Sequence, residues 1–191
     1  MHAADALALC VSLPDIATVL DVGSGGGEHA QAFRQAGKRV TTVNLNAPSD
    51  VVGDYLSAEC SGPFDLVWAS HVLEHQRNVG LFIERMRQDC KPGGWLAVTV
   101  PPMKEQVVGG HVALFNAGIL LYHLVLAGIN CRPAKVKTYG YNVSVVVQNM
   151  PCGPLPDLAC DAGDIEALAP WFPIPVSQGF DGRIKAVNWS V

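Results

Sequence analysis

The sequence predicts an α/β protein whose strands alternate with helices, so that a mostly parallel, doubly wound sheet is covered on both faces. Three observations predict it. Residues 18–22 are an apolar, β-branched run that ends at an acid and breaks into Gly23, Gly25, Gly26 and Gly27 before a helical pattern begins. Four further strand-like runs follow before residue 101, with a 3.6-residue apolar period in the longest gap between them. Finally, 191 residues that are 49% apolar and only 16% charged suffice for one domain with a proper core.

Each element has its own signal. Residues 3–11 are an alanine-leucine helix, ended by Pro14. After the glycines, Ala30, Phe33 and Ala36 face inward along a helix that Gly37 closes. Residues 39–45 form a β-branched second strand, and 51–54 a short third one ending in Gly-Asp. Gly62-Pro63 introduces a fourth strand over 64–69. Asn78 caps a helix carrying Val79, Phe82, Ile83, Met86 and Cys90 on one face; Lys91-Pro92-Gly93-Gly94 stops it, and 95–100 is a fifth strand. Asn116 caps a helix through Ala127 that is apolar nearly all round, which Gly128 closes; such a helix is buried or carries an interface. Residues 131–138 and 141–148 read as two strands joined at Gly140. Six of the thirteen prolines fall between Pro151 and Pro175, so 150–191 reads as an irregular wrap anchored by Trp171, Phe172, Phe180 and Trp189. The whole chain is expected to be one domain with its core over about 15–150.

Charge and composition remove several functions. A net charge of -4 without a Lys/Arg cluster argues against a nucleic-acid partner. The most apolar stretch, 119–129, is about half the ~20 residues that span a bilayer, so no membrane partner is expected. The first Lys or Arg is Arg34, so the basic start of a signal peptide is missing. Six cysteines without a C-x-x-C pair read as reduced small hydrophobes, and the expected location is cytoplasmic.

A strand, a glycine turn and a helix let a backbone approach a nucleotide closely. A dinucleotide fingerprint can be forced onto Gly25, Gly27 and Ala30, but that register starts after the strand has ended. Asp21, Glu28 and Asp54 also make the neighbourhood acidic, whereas a pyrophosphate wants the positive end of a helix. An acid at the strand end suits a ligand with a positive centre, which favours S-adenosylmethionine over NAD.

The stretch from Asp21 resembles motif I, acid-x-Gly-x-Gly-x-Gly, of the class I S-adenosylmethionine-dependent methyltransferases, filled here by Asp21, Gly23, Gly25 and Gly27. A second phrase, residues 64–100, independently resembles the continuation found in small-molecule, type 11-like members: strand, Ser-His-x-Leu-Glu-His, helix, Lys-Pro-Gly-Gly, strand. The resemblance covers roughly residues 15–150. It implies a Rossmann-like, seven-stranded sheet with an antiparallel last strand, and a cofactor site built from Asp21, Gly23, Ser24, Gly25, Gly27, Asn44, Asp54, Ala69 and Ser70. Asn44 stands where the family has an acid for the ribose hydroxyls; its amide lacks the strength of a charged acceptor. Asp54 stands where the adenine amino group is contacted, or else caps the turn that follows it. His29 is expected to line the cofactor loop.

Residues 71–75, His-Val-Leu-Glu-His, place His71, Glu74 and His75 on one face if they are helical. The string also matches the H-x-x-E-H zinc-peptidase pattern. That pattern sits inside a long helix and needs a third ligand on a later one; none stands out, and no metal is expected. In the methyltransferase reading Glu74 and His75 lie near the mouth where an acceptor enters. His111, in a Gly-Gly-His loop, joins them as a candidate base for a hydroxyl acceptor, since histidine exchanges protons near neutral pH. His75 and Glu74 could equally shape the loop, and His123 reads as a core or interface histidine. The resulting expectation is a methyltransferase acting on a small-molecule or sugar-like acceptor, at oxygen. A non-catalytic partner that keeps the fold, which Asn44 favours, and an NAD-dependent oxidoreductase are the alternatives.

Overall fold

The computed structural model describes residues 2–189. Helix α1 is Ala4–Ser12, strand β1 Thr18–Val22, α2 Glu28–Gln35, β2 Arg39–Asn44, β3 Val51–Val52 and β4 Phe64–Ser70. They are followed by α3 Val79–Asp89, β5 Cys90–Val100, α4 Ala117–Leu126, β6 Lys135–Tyr139, β7 Asn142–Gln148, α5 Asp164–Leu168 and β8 Ala186–Val187. The strands make one sheet in the order β3-β2-β1-β4-β5-β7-β6-β8. The first five run parallel, and β7 enters antiparallel between β5 and β6. This is the Rossmann-like arrangement that the sequence predicts, with one short strand more.

Strand alternation divides the core in two. Leu20, Val67, Ala69, Leu96 and Val98 face α3 and α4, where Phe82, Ile83, Met86, Leu120, Leu121 and Leu124 are buried. Val19, Leu66, Trp68, Ala97 and Val146 face the other way, under Leu7, Leu9 and Cys10 of α1 and Phe33 of α2. Both asparagine caps form: Asn78 Oδ1 accepts from the Leu81 amide and Asn116 Oδ1 from the Ile119 amide. Ala30 and Phe33 are fully buried as expected, but Ala36 is exposed because α2 ends before it.

The sequence reading fails where strands depend on distant neighbours. Lys91–Gly94 does not merely stop α3; it belongs to β5, which starts at Cys90 opposite Phe64 and shifts register before Leu66 meets Trp95. Gly93 permits that bulge with φ +74, and Asn149 fastens it by donating from Nδ2 to the carbonyls of Arg87, Cys90 and Lys91. Strand β6 starts at Lys135 rather than 131, since only from there does β7 lie opposite. In the tail, Phe172 and Ile184 are buried, Trp171 and Phe180 pack on the larger core, and Trp189 packs on the smaller one. No helix among the described residues is long and apolar enough to cross a membrane.

Candidate active site

Strand order reverses between β1 and β4, and their C-terminal ends open a crevice there. The cleft has a volume of about 590 Å³ and runs from Asn44, Gly53 and Asp54 past Gly23 to His71 and His75. Of the glycine loop, Gly23 lines it. Gly23 (φ +71), Gly25 (φ +52) and Gly27 (φ +80) all adopt the left-handed region, which only glycine enters without strain. A Cβ on Gly25, Gly26 or Gly27 would meet no atom within 4 Å, so these three glycines border open space. Gly23 differs: a Cβ there would collide with Val72, which closes down on the loop from beyond β4.

The predicted cofactor residues separate into wall and backing. Gly23, Asn44 and Asp54 line the cleft. Asn44 donates from Nδ2 to the Asn46 carbonyl at 3.1 Å, which leaves Oδ1 as an acceptor. Asp54 accepts from the Leu56 amide at 3.0 Å through one oxygen, so it caps its turn and keeps the second oxygen free. Asp21, Ser24 and Ser70 stand behind the wall, and each carries a buried oxygen with no partner: Oδ2, Oγ and Oγ. Ala69 is buried at 1% exposure and contributes only backbone. Burial pushes the Asp21 carboxyl up to about 7, against the Ala30 backbone bond and the Arg34 charge. Unpartnered oxygens at the ends of two strands, beside a glycine cradle open to solvent, fit a polar ligand bearing amino and carboxylate groups.

Past β4 the chain makes one tight turn. His71 has φ +55, and Leu73–His75 is a single 3-10 turn rather than the long helix of a zinc peptidase. The three side chains therefore do not share a helical face. His71 points back to the sheet, with Nε2 donating to Asn142 Oδ1 at 3.0 Å and Nδ1 3.4 Å from Glu74 Oε1. Burial opposes the imidazolium, but these two acceptors prevail and raise its pKa. Glu74 is 1% exposed; its second oxygen, Oε2, has no partner.

Glu74 also organises the loop that carries His111. Its carbonyl accepts from the amides of Val112 and Ala113 at 2.8 and 3.1 Å. The loop is pinned again where Met103 donates to the Phe115 carbonyl. His75 Nδ1 donates to the Gly110 carbonyl at 2.7 Å, which fixes the tautomer and leaves Nε2 with its lone pair, 3.8 Å from Glu74 Oε1. The His75 and His111 rings meet edge to face, 5.2 Å between centres. His75 borders the cleft. The half-buried His111 borders a hollow with Met103 and Tyr141, which adjoins an apolar cavity of about 480 Å³ between α4 and residues 181–185. Glu74, His75 and His111 thus come together beside the cleft, with His111 reaching the hollow at Met103 and Tyr141.

Other histidines have other tasks. His29 donates from Nε2 to the His2 carbonyl at 3.0 Å and sits edge-on to Trp68, so it braces the N-terminus instead of lining the cofactor loop. His123 is half-buried against Phe115. Three contributors had no sequence signal: Asn142, which also accepts from the Ala3 amide, His2, whose ring is tilted against that of His71 with centres 4.4 Å apart, and Tyr141, which stacks on His71 at 6.2 Å.

Comparison with known proteins agrees with this geometry. A family model described as a methyltransferase domain matches residues 3–119, more than half of the chain. The ubiquinone biosynthesis O-methyltransferase of Xanthomonas campestris pv. campestris (strain B100) is 36% identical over 48% of this chain and 46% of its own length. Its counterpart from Paraburkholderia xenovorans is 31% identical over 41% and 42%. The matches span less than half the length of these relatives. Among solved structures, Burkholderia thailandensis 1,6-didemethyltoxoflavin-N1-methyltransferase, with bound 1,6-didemethyltoxoflavin and S-adenosylhomocysteine, superposes with a TM-score of 0.60 at 19% identity. It covers 70% of this chain and 71% of that one, a likeness of fold.

Proposed function

This chain belongs to the class I S-adenosylmethionine-dependent methyltransferases, and from that premise we propose that it methylates a hydroxyl oxygen of a small-molecule or sugar-like acceptor. When bound, S-adenosylmethionine supplies a sulfonium methyl group that a nucleophile attacks in line. The residues to hold it are the glycine loop at Gly23, Gly25 and Gly27, Asn44 Oδ1 and Asp54 on the cleft wall, and Ser24, Ser70 and Asp21 behind. One observation carries the choice of an oxygen acceptor: Glu74, His75 and His111 converge beside the cleft, where a base is at hand for an acceptor proton. His75 Nε2 is the base in this reading, because the Gly110 carbonyl holds the ring's proton on Nδ1. Glu74 would stabilise the imidazolium so formed, and the apolar cavity would hold the acceptor's body away from water. Asn44 weakens ribose binding without abolishing it, since an amide oxygen still accepts one hydroxyl proton.

The test is incubation with S-adenosylmethionine and a panel of small hydroxylated acceptors, read as S-adenosylhomocysteine release. Gly25→Val should abolish cofactor binding in calorimetry while the protein stays folded. His75→Gln should slow single-turnover transfer by ~10²–10⁴ and leave cofactor affinity alone. Full-rate transfer by His75→Gln would remove it as the base.

A further inference from the structure

We propose that Glu74, His75 and His111 form a binding site for a divalent cation with the ligand preference of zinc. Their ligand atoms all lie within 4.8 Å of one another, and His75 Nε2 and Glu74 Oε1 are already 3.8 Å apart. Ligands of a tetrahedral zinc ion at 2.0–2.2 Å stand roughly 3.4 Å from each other, so closing the site takes about an ångström of side-chain rotation. His75 is exposed and His111 only half-buried, so both rings have that freedom.

Two independent features turn proximity into a built site. The first is Glu74. Glu74 is 1% exposed, its Oε1 reaches only toward His71 and His75 and its Oε2 has no partner, so a cation held by this carboxylate would offset the cost of burying it. The second is the outer layer. A metal-bound histidine typically donates its other ring N–H to a carbonyl or carboxylate, which fixes its tautomer. His75 does so through Nδ1 to the Gly110 carbonyl at 2.7 Å, so Nε2 offers a lone pair toward the cluster before any ion arrives. His71, held between Asn142 Oδ1 and Glu74 Oε1, is a positioning residue that steers the carboxylate. Two imidazoles and one carboxylate leave the fourth position of a tetrahedron open, as in catalytic zinc sites.

The third ligand is what the linear H-x-x-E-H pattern cannot show. It comes from a loop 36 residues on, sewn to the turn by the Glu74 carbonyl, while His71 turns away to Asn142. The role of the ion rests on the methyl-transfer reading. With the ion bound His75 Nε2 is a ligand rather than the base, and the open position would take the acceptor oxygen; the metal-free protein keeps the proton-transfer route proposed above. The hydroxyl proton would then leave to water, and the new O–C bond would form as the sulfonium S–C bond breaks. Binding of the ion does not depend on that reading.

The experiment therefore uses the full chain with neither cofactor nor acceptor. After chelator treatment, zinc is titrated in competition with a chromophoric chelator, and cobalt(II) is followed in the visible spectrum. The expected result is one equivalent bound, with affinity reduced about tenfold or more in Glu74→Gln and in His111→Asn, and unchanged in Cys152→Ser. The cobalt spectrum should lack a thiolate charge-transfer band, because none of the six cysteines takes part. Circular dichroism checks that the near-isosteric variants keep the fold. The proposal is overturned if no stoichiometric ion binds, if both variants bind like the parent, or if binding follows Cys152. Loss of methyl transfer with zinc binding intact would count against the acceptor chemistry alone.

Discussion

Asp21 is the residue whose charge costs this protein most. Its ordinary pKa is 3.8, and burial raises it to about 7 in the folded chain. Between those values the unfolded chain has given up the proton and the folded one has not. Stability should therefore fall as pH rises, by up to ~1.4 kcal/mol per unit, and level off above about pH 7. Asp21→Asn keeps the shape and removes the titration. In urea unfolding across pH 5 to 8 the variant should gain on the parent with rising pH until the curves run parallel; parallel curves throughout would deny the raised pKa. The identity of Asp21 and its place at a strand end were legible from the glycines after it. That its Oδ2 would be buried without a partner was not, because that depends on how α2 closes over the strand.

Elements were legible where one segment carries its own start and stop. Asn78 and Asn116 announce α3 and α4, and Gly37 and Gly128 end helices with φ +80 and +81. What could not be read was docking between segments. The tail returns to α4 through Gly182, whose carbonyl accepts from the Gly118 amide at 2.9 Å. Gly182 has φ +77, and a Cβ on it would collide with Asn116, the cap of α4. Gly182→Ala should cost about 1–3 kcal/mol by strain and collision together. Hydrogen exchange should then rise over 181–187 and at the first turn of α4, with β1 and β4 unaffected. Unchanged exchange in the tail would mean that the clamp does not hold it. The same remoteness hid β8, which exists only because β6 offers an edge.

For the molecule as a whole, the decisive joint is Asn142. Its Oδ1 accepts from both Ala3 N and His71 Nε2, and its Nδ2 donates to the Tyr139 carbonyl. One amide therefore connects the N-terminal helix, the end of β4 and the β6–β7 turn. Asn142→Ala should cost about 2 kcal/mol, a melting shift of roughly 4–8 °C for a chain of this size. It should also loosen α1 in hydrogen exchange. A melting point within a degree of the parent's would show that water replaces the amide without loss. The glycines, the His-Glu phrase and His111 made half of the candidate site legible; the half supplied through Asn142, Tyr141 and His2 was not, since no local pattern links positions so far apart along the chain.

That joint also fixes an order of events during synthesis. Ala3 and Asn142 are 139 positions apart, so α1 leaves the ribosome long before the amide that fixes its start. At ~5–20 residues per second roughly 7 to 28 s separate Ala3 from Asn142, and in that time Leu7, Leu9 and Cys10 can pack only on the earlier members of their cluster, Val19, Phe33, Leu66, Trp68 and Ala97. For that interval the apolar stripe of α1 is only partly covered, a surface that a holdase can recognise and that the finished protein no longer displays.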